Sequence, residues 1–200
     1  MSKFTEYWGK QFAFPHGLGG KIATFIMNRI NKKMNKAIIQ NVPESGRVLD
    51  IGFGGGNTLK LLLKKTKAEL YGVDISPDMI KAAVKRNKKA VKNSRLTLAG
   101  GAADAIPFEI KFDCIYTSNT VYFWRDLNAG FREISKRLKT GGVFLNVFRT
   151  KEWLDKLSYT RHGYAKYELD ELQKATEDNG FTTEVITIAD GTFMIKASLI

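Results

Sequence analysis

Three acids stand at or just beyond the ends of three apolar runs: Asp50 in RVLDI, Asp74 in ELYGVDI, and Asp104 shortly after RLTLAG. A carboxylate inside an apolar segment is costly to bury unless it binds something. Between the first two lies GFGGGN (52–57), with glycines at 52, 54 and 56. A turn so bare lets a ligand approach the main chain closely. A dinucleotide turn wants G-x-G-x-x-G, whose third glycine lets the next helix pack on the strand. Here the spacing is G-x-G-x-G. Asp50, just ahead of it, would repel a pyrophosphate and suits a ligand carrying an ammonium group. Asp74 follows Gly56 by 18 residues, about where an acid takes both ribose hydroxyls in dinucleotide folds. Asp104 can accept from an adenine amino group. Singly, Asp50 and Asp74 could be loop-facing residues and Asp104 a helix cap. One acid at each of three strand exits points instead to a nucleoside.

The elements that position these acids alternate between strand and helix. RVLDI (47–51) precedes NTLKLLLKK (57–65), whose Leu59, Leu62 and Leu63 have helical spacing. ELYGVDI (69–75) is a strand, and Ser76-Pro77-Asp78 then opens a helix with a cap, a first-turn proline and a favourable charge. RLTLAG (95–100) and FDCIYTS (112–118) are further strands. Leu127, Phe131, Ile134 and Leu138 form a helical stripe, predicted to stop at Gly141-Gly142 before a fifth strand, VFLNVF (143–148). A helix over 168–179 closes at Gly180, and Asp190-Gly191 turns a final hairpin. The pattern predicts an α/β fold: a mainly parallel, doubly wound sheet covered on both faces, with its ligand at the carboxyl ends of the strands. Residues 1–46 precede the sheet domain (47–200). Ile22, Phe25, Ile26, Ile30, Met34 and Ile38 make one face of an amphipathic helix there. FAFPHGLGGK (12–21) suits a lid or a plain connecting loop.

Bulk properties narrow the classes. The 200 residues suffice for one full hydrophobic core, and 44% hydrophobic with 26% charged residues is an ordinary globular balance. No stretch approaches the ~20 apolar residues of a membrane span, and MSKFTEYWGK is no signal peptide, so a cytoplasmic location is expected. The single cysteine, Cys114, excludes an internal disulfide and reads as a buried hydrophobe in FDCIY. With two histidines there is little material for a metal site, and none is expected. The net charge of +12 is lopsided: residues 1–95 carry 19 Lys and Arg against 6 Asp and Glu. Such a half can bind nucleic acid or an anionic surface, but it reads first as a solvated lysine-rich face. No aromatics interleave KAAVKRNKKAVKN (81–93), as a single-strand binder would want.

At this point the chain resembles the class I S-adenosylmethionine-dependent methyltransferases. VLDIGFGGGN, YGVDIS, GGAADAIPF, FDCIYTSNTVYFW, LKTGGVF and ELQKATEDNGF look like that family's motifs, in order, over about residues 45–200. The likeness is to the small-molecule branch that includes ubiquinone/menaquinone-biosynthesis-like enzymes. It implies a seven-stranded sheet ordered 3-2-1-4-5-7-6 with strand seven antiparallel, and S-adenosyl-L-methionine as cofactor. It places Gly52, Gly54 and Gly56 against the methionine part and Asp50 near its ammonium group. Asp74 would take the ribose hydroxyls, with Ile75 and Met79 beside the adenine. Asp104 would accept from the adenine amino group, flanked by Ala103 and Ala105, and Asn119 would line the gap towards substrate. Phe53 departs from the small or polar residue often found there, and either shapes the cofactor pocket or packs away from it.

The reaction implied is in-line transfer of the methyl group to a substrate nucleophile, helped mainly by positioning. His16, Tyr122 and His162 are the candidates for a general base if one is needed. Tyr7, Phe14, Tyr122, Trp124 and Tyr164 are candidate substrate contacts, and together they suggest a small apolar or aromatic metabolite. TSNTVYF lacks the Asn/Asp-Pro-Pro-Tyr pattern of amino-methylating nucleic-acid enzymes. RNA methylation or binding through the basic half stays open as an alternative. A nicotinamide oxidoreductase is disfavoured by the glycine spacing. The expected assembly is a monomer or homodimer.

Overall fold

The computed structural model describes residues 31–161 and 163–200. Seven strands form one sheet: β1 (Arg47–Ile51), β2 (Glu69–Asp74), β3 (Leu96–Gly100), β4 (Phe112–Ser118), β5 (Leu138–Arg149), β6 (Phe181–Ala189) and β7 (Thr192–Leu199). Their order is β3-β2-β1-β4-β5-β7-β6. Strands β1 to β5 pair in parallel, and β7 runs antiparallel to both neighbours. This is the architecture and strand order expected. In β1 every residue after Arg47 is buried, the signature of a strand covered on both faces.

The two faces carry two cores, sorted by strand alternation. Leu49, Ile115, Phe144 and Phe148 lie on one face with Phe131 and Ile134 of α5 (Leu127–Arg137). Val48, Leu70, Cys114, Tyr116, Leu145 and Val147 lie on the other. That second face is covered by α1 (Lys32–Asn41) through Met34 and Ile38, and by α2 (Asn57–Lys65) through Leu59 and Leu62. Ile22, Phe25, Ile26 and Ile30, the rest of the predicted N-terminal face, fall outside the described residues. Burial holds the Cys114 thiol protonated and pushes its pKa up, consistent with a packing role.

The helix α3 (Pro77–Arg86) starts as expected: the Ser76 hydroxyl accepts the Met79 N–H at 3.4 Å, with Pro77 at the first helical position. A short α4 (Lys88–Lys92) follows it. One expectation fails locally. Helix α5 ends at Arg137, and Leu138 already belongs to β5, several residues before Gly141-Gly142. Leu138 is fully buried opposite Phe112, and that strand pairing overrides the helical stripe. Two helices lie between β5 and β6: α6 (Lys151–Asp155), and α7 (Leu169–Glu177), held at its start by a reciprocal box between Glu168 and Glu171.

Gly56 leaves no room for a side chain. It has φ +70°, and a Cβ built there would stand 2.8 Å from both Ala83 Cβ and Asn87 Nδ2 on the neighbouring helix. Gly56→Ala combines a left-handed backbone penalty of ~1–2 kcal/mol with that clash. A loss of about 3 kcal/mol is expected, read as a fall in melting temperature near 9 °C. Calorimetry showing a fall under 2 °C would reject the account.

Candidate functional site

The carboxyl ends of β1 to β4 bring together Asp50, the glycine turn, Asp74, the 102–105 turn and Asn119. Asp74 ends β2 and is 7% exposed. Its Oδ2 accepts the Gly54 N–H at 2.8 Å, and its Oδ1 accepts the Ser76 N–H at 2.9 Å. The carboxylate therefore shapes the turn on one side and the start of α3 on the other. Each oxygen keeps a lone pair for an outside donor. Burial raises its pKa, and the two backbone hydrogen bonds oppose the rise.

Asp50 sits one strand over, 3% exposed, opposite Tyr116 in the β1–β4 register. The Tyr116 hydroxyl donates to Asp50 Oδ2 at 2.6 Å. Burial pushes the Asp50 carboxyl up to about 8; Tyr116 pulls it down, and the nearby Asp74 charge raises it further. Among the described residues neither Asp50 nor Asp74 is ion-paired to a basic side chain. Two buried acids side by side form a site that a cationic group would relieve.

The turn between them is fixed on three sides. The Gly52 N–H donates to the Val73 carbonyl at 2.8 Å. Arg86 Nη1 donates to the Gly55 carbonyl at 2.7 Å, and Asn87 Nδ2 to the Gly56 carbonyl at 3.1 Å. Phe53 turns into the core: its ring fills the space over Gly72, where a Cβ would come within 2.6 Å of it. It thus packs away from the ligand face and offers that face only its backbone. Gly54 is the opposite case: among the described residues no atom lies within 4 Å of a Cβ built there. A close-approaching ligand has its space at Gly54.

Past Asp74, Ile75 is 55% exposed, and the buried Met79 lies behind it on α3. An exposed isoleucine next to a buried acid is an apolar lip suited to a planar ring. Ala103 is buried and Asp104 is exposed at the tip of a turn closed by an Ala102–Ala105 bridge, with Ala105 also exposed.

Asn119 follows β4 with φ +57°, a conformation asparagine tolerates better than most residues. Its side chain is already engaged: Nδ2 donates to Asn31 Oδ1 at 3.1 Å and towards Met34 Sδ at 3.3 Å. Its Oδ1 lies 3.3 Å from the Tyr122 hydroxyl and 3.5 Å from Arg149 Nη1. It therefore faces α1 rather than standing free between cofactor and substrate. Tyr122, 3% exposed, accepts the Arg149 N–H at 2.5 Å and donates towards the Arg149 carbonyl at 3.1 Å. Burial raises its pKa, so this phenol keeps its proton and is poorly suited to act as a base. Tyr164 packs edge-on against Phe123 at 4.7 Å and lies 5.8 Å from Tyr122. Trp124 departs from this cluster: it covers Gly130 and meets Phe131 edge-on at 5.7 Å, within the core beside α5. His16, His162, Tyr7 and Phe14 lie outside the described residues.

Two residues at the site went unread in the sequence. Tyr116 looks like one more apolar member of FDCIYTS; the signal was that a buried tyrosine needs a polar partner. Arg149 looks like a cation ending a strand. Its burial at 6% exposure depends on Asn31 and on Trp153, whose ring lies 4.4 Å from the guanidinium carbon.

The fold and these strand-end acids define a nucleoside-cofactor domain of the Rossmann-like kind. A methyltransferase-domain family model matches residues 48–142. The chain is 31% identical over 135 residues to the uncharacterized methyltransferase YdaC of Bacillus subtilis (strain 168), covering 66% of this chain and 72% of that one. It is 30% identical over 156 residues to 24-methylenesterol C-methyltransferase 3 of Arabidopsis thaliana, of whose length it spans 41%. Among solved structures, an S-adenosylmethionine-dependent methyltransferase from Clostridium acetobutylicum ATCC 824 superposes with a TM-score of 0.74 at 17% identity, covering 92% of this chain and 99% of that one. The chain belongs to the class I S-adenosylmethionine-dependent methyltransferases. No helix among the described residues is long and apolar enough to cross a membrane.

Proposed function

We propose that this methyltransferase binds S-adenosyl-L-methionine across the ends of β1 to β3 and methylates a small apolar or aromatic metabolite. The observation that carries the cofactor mode is Asp74: a buried carboxylate with acceptor capacity to spare, between the open face of Gly54 and the exposed Ile75. The ribose hydroxyls would meet Asp74, the adenine would lie on Ile75 near Asp104, and the methionine tail would pass Gly52 and Gly54. Asp50 would answer the ammonium group. The bound cofactor supplies an activated methyl group, so this chain's residues need only hold the acceptor in line and keep water out. The apolar character of the acceptor is supported by the Tyr122, Phe123 and Tyr164 cluster and by the sterol named for one relative.

S-adenosyl-L-homocysteine at 100 times its Kd is expected to add about 2.7 kcal/mol of stability. For 200 residues that is a rise in melting temperature of about 8 °C. A rise with NADH and none with S-adenosylhomocysteine would overturn the cofactor assignment. A second acceptor class is supported by one feature: Lys81, Lys85, Lys88, Lys89 and Lys92 are exposed together on α3 and α4. RNA binding there would show as a mobility shift that weakens steeply with salt.

A further inference from the structure

We propose that Arg149 is the anchor for an anionic group, a carboxylate or phosphate, on the methyl acceptor; this rests on the methyltransferase reading above. Arg149 ends β5 with 6% of its surface exposed. Its guanidinium touches Asn31 Oδ1 at 3.3 Å through both Nη atoms, and Asn119 Oδ1 at 3.5 Å. One of its faces lies on Trp153. All these partners are neutral. Among the described residues no carboxylate forms an ion pair with it, and its buried Nε–H has no acceptor at all. Arginine does not shed its proton in proteins, so the charge is present and meets no counter-charge among the described residues. Burying a charge without a counter-charge is unfavourable. A fold carries such a cost where a ligand repays it.

The position fits an acceptor site. The pleat puts Ser118 and Arg149 on the same sheet face as Tyr116 and Val147, at the carboxyl ends of adjacent parallel strands. The Ser118 hydroxyl is also buried without a partner among the described residues. Two donors without a partner among the described residues therefore stand at the carboxyl ends of adjacent strands, on the edge that holds the candidate cofactor acids. Asn119 and Thr120 link them to the glycine turn, because the Thr120 side chain packs directly on Gly52. An acceptor with its anion at Arg149 and its body among Tyr122, Trp153, Tyr159 and Tyr164 would lie beside the methionine end of the cofactor site. The aromatic rings hold the body, and the guanidinium selects the charge.

The test titrates wild-type protein, saturated with S-adenosylhomocysteine, with benzoate, phenyl phosphate, the neutral benzamide and inorganic phosphate, read by calorimetry. Benzoate or phenyl phosphate is expected to bind at least about tenfold more tightly than benzamide. Inorganic phosphate alone is expected to bind weakly. Arg149→Gln should reduce the anion-to-amide ratio below about twofold, Arg149→Lys should keep part of it, and both should bind S-adenosylhomocysteine as the wild type does. Arg149→Met, which removes the unpaired charge, should melt no lower than wild type; a scaffolding arginine would give a large fall. Equal binding of benzamide and the anions overturns the inference. So does no anion binding, an unchanged ratio in Arg149→Gln, or phosphate binding as tightly as phenyl phosphate. If S-adenosylhomocysteine itself fails to bind wild-type protein, the cofactor reading falls instead, and the two failures stay separate.

Discussion

Asp74→Ala is expected to weaken S-adenosylhomocysteine binding by at least about 100-fold while changing the protein's stability by no more than about 1 kcal/mol. In the proposed mode the carboxylate takes two ribose hydroxyls, and a hydrogen bond to a charged group contributes ~1.5–3 kcal/mol. Losing two gives about 3–6 kcal/mol, which is two to four decades of affinity. Stability responds to opposing effects. The variant strands the Gly54 and Ser76 N–H groups that the carboxylate now satisfies. It also removes a buried carboxylate whose pKa burial has raised. Calorimetric titration and thermal melts on one preparation separate the two readouts. Affinity within threefold of wild type would reject the ribose role. A collapse of stability with affinity intact would make Asp74 a brace for the turn and nothing more.

Asp50→Asn should act in opposite directions on stability and binding, and both effects should depend on pH. The folded carboxyl titrates near 8, far above its unfolded value of 3.8. Between those values the folded state holds a proton that the unfolded chain has released, so rising pH favours unfolding. The stability linked to this group is complete below about pH 4 and is lost progressively towards pH 8. Asparagine has no proton to lose and keeps an acceptor for the Tyr116 hydroxyl. The variant's melting temperature should therefore exceed the wild type's by a margin that grows from pH 4 to pH 8, reaching at least about 5 °C. Binding behaves the other way. An ammonium group favours the ionised carboxylate, so wild-type affinity for S-adenosylhomocysteine should climb from pH 6 to pH 8, by at most about tenfold per unit and levelling off near pH 8. The variant should bind weakly with a flat profile. A wild-type profile as flat as the variant's would remove Asp50 from the ammonium site.

The fold was legible where the evidence is local. Apolar runs of five to seven residues, Ser76-Pro77-Asp78 and Asp190-Gly191 each announce themselves within a few positions, and the sheet follows from their alternation. The site was legible to the extent that its acids end strands. What escaped depends on residues distant in the chain. Leu138 joins a strand because Phe112 lies opposite it. Phe53 turns inward because Gly72, on another strand, leaves a hole for its ring. Asn119 points to α1 because Asn31 and Met34 present an acceptor and a sulfur there. Arg149 looks solvent-bound until Trp153 and Asn31 close over it. Patterns of hydrophobicity say which residues are inside; they do not say which of the inside residues meet.

The ring of Phe53 in the hollow over Gly72 has a thermodynamic consequence for ligand capture. Most glycine-rich loops are pliant, and a ligand that orders one forfeits part of its affinity in doing so. Here the chain fixes the loop during folding: an aromatic plug holds its base, and strand and helix groups hold its amide and carbonyls. The methionine end of the proposed pocket is thus a finished mould before anything arrives. The adenine end, bounded by the exposed Ile75 and Asp104, is the part left to adjust. Discrimination among cofactor analogues should accordingly be strict in the amino-acid tail and lenient in the base.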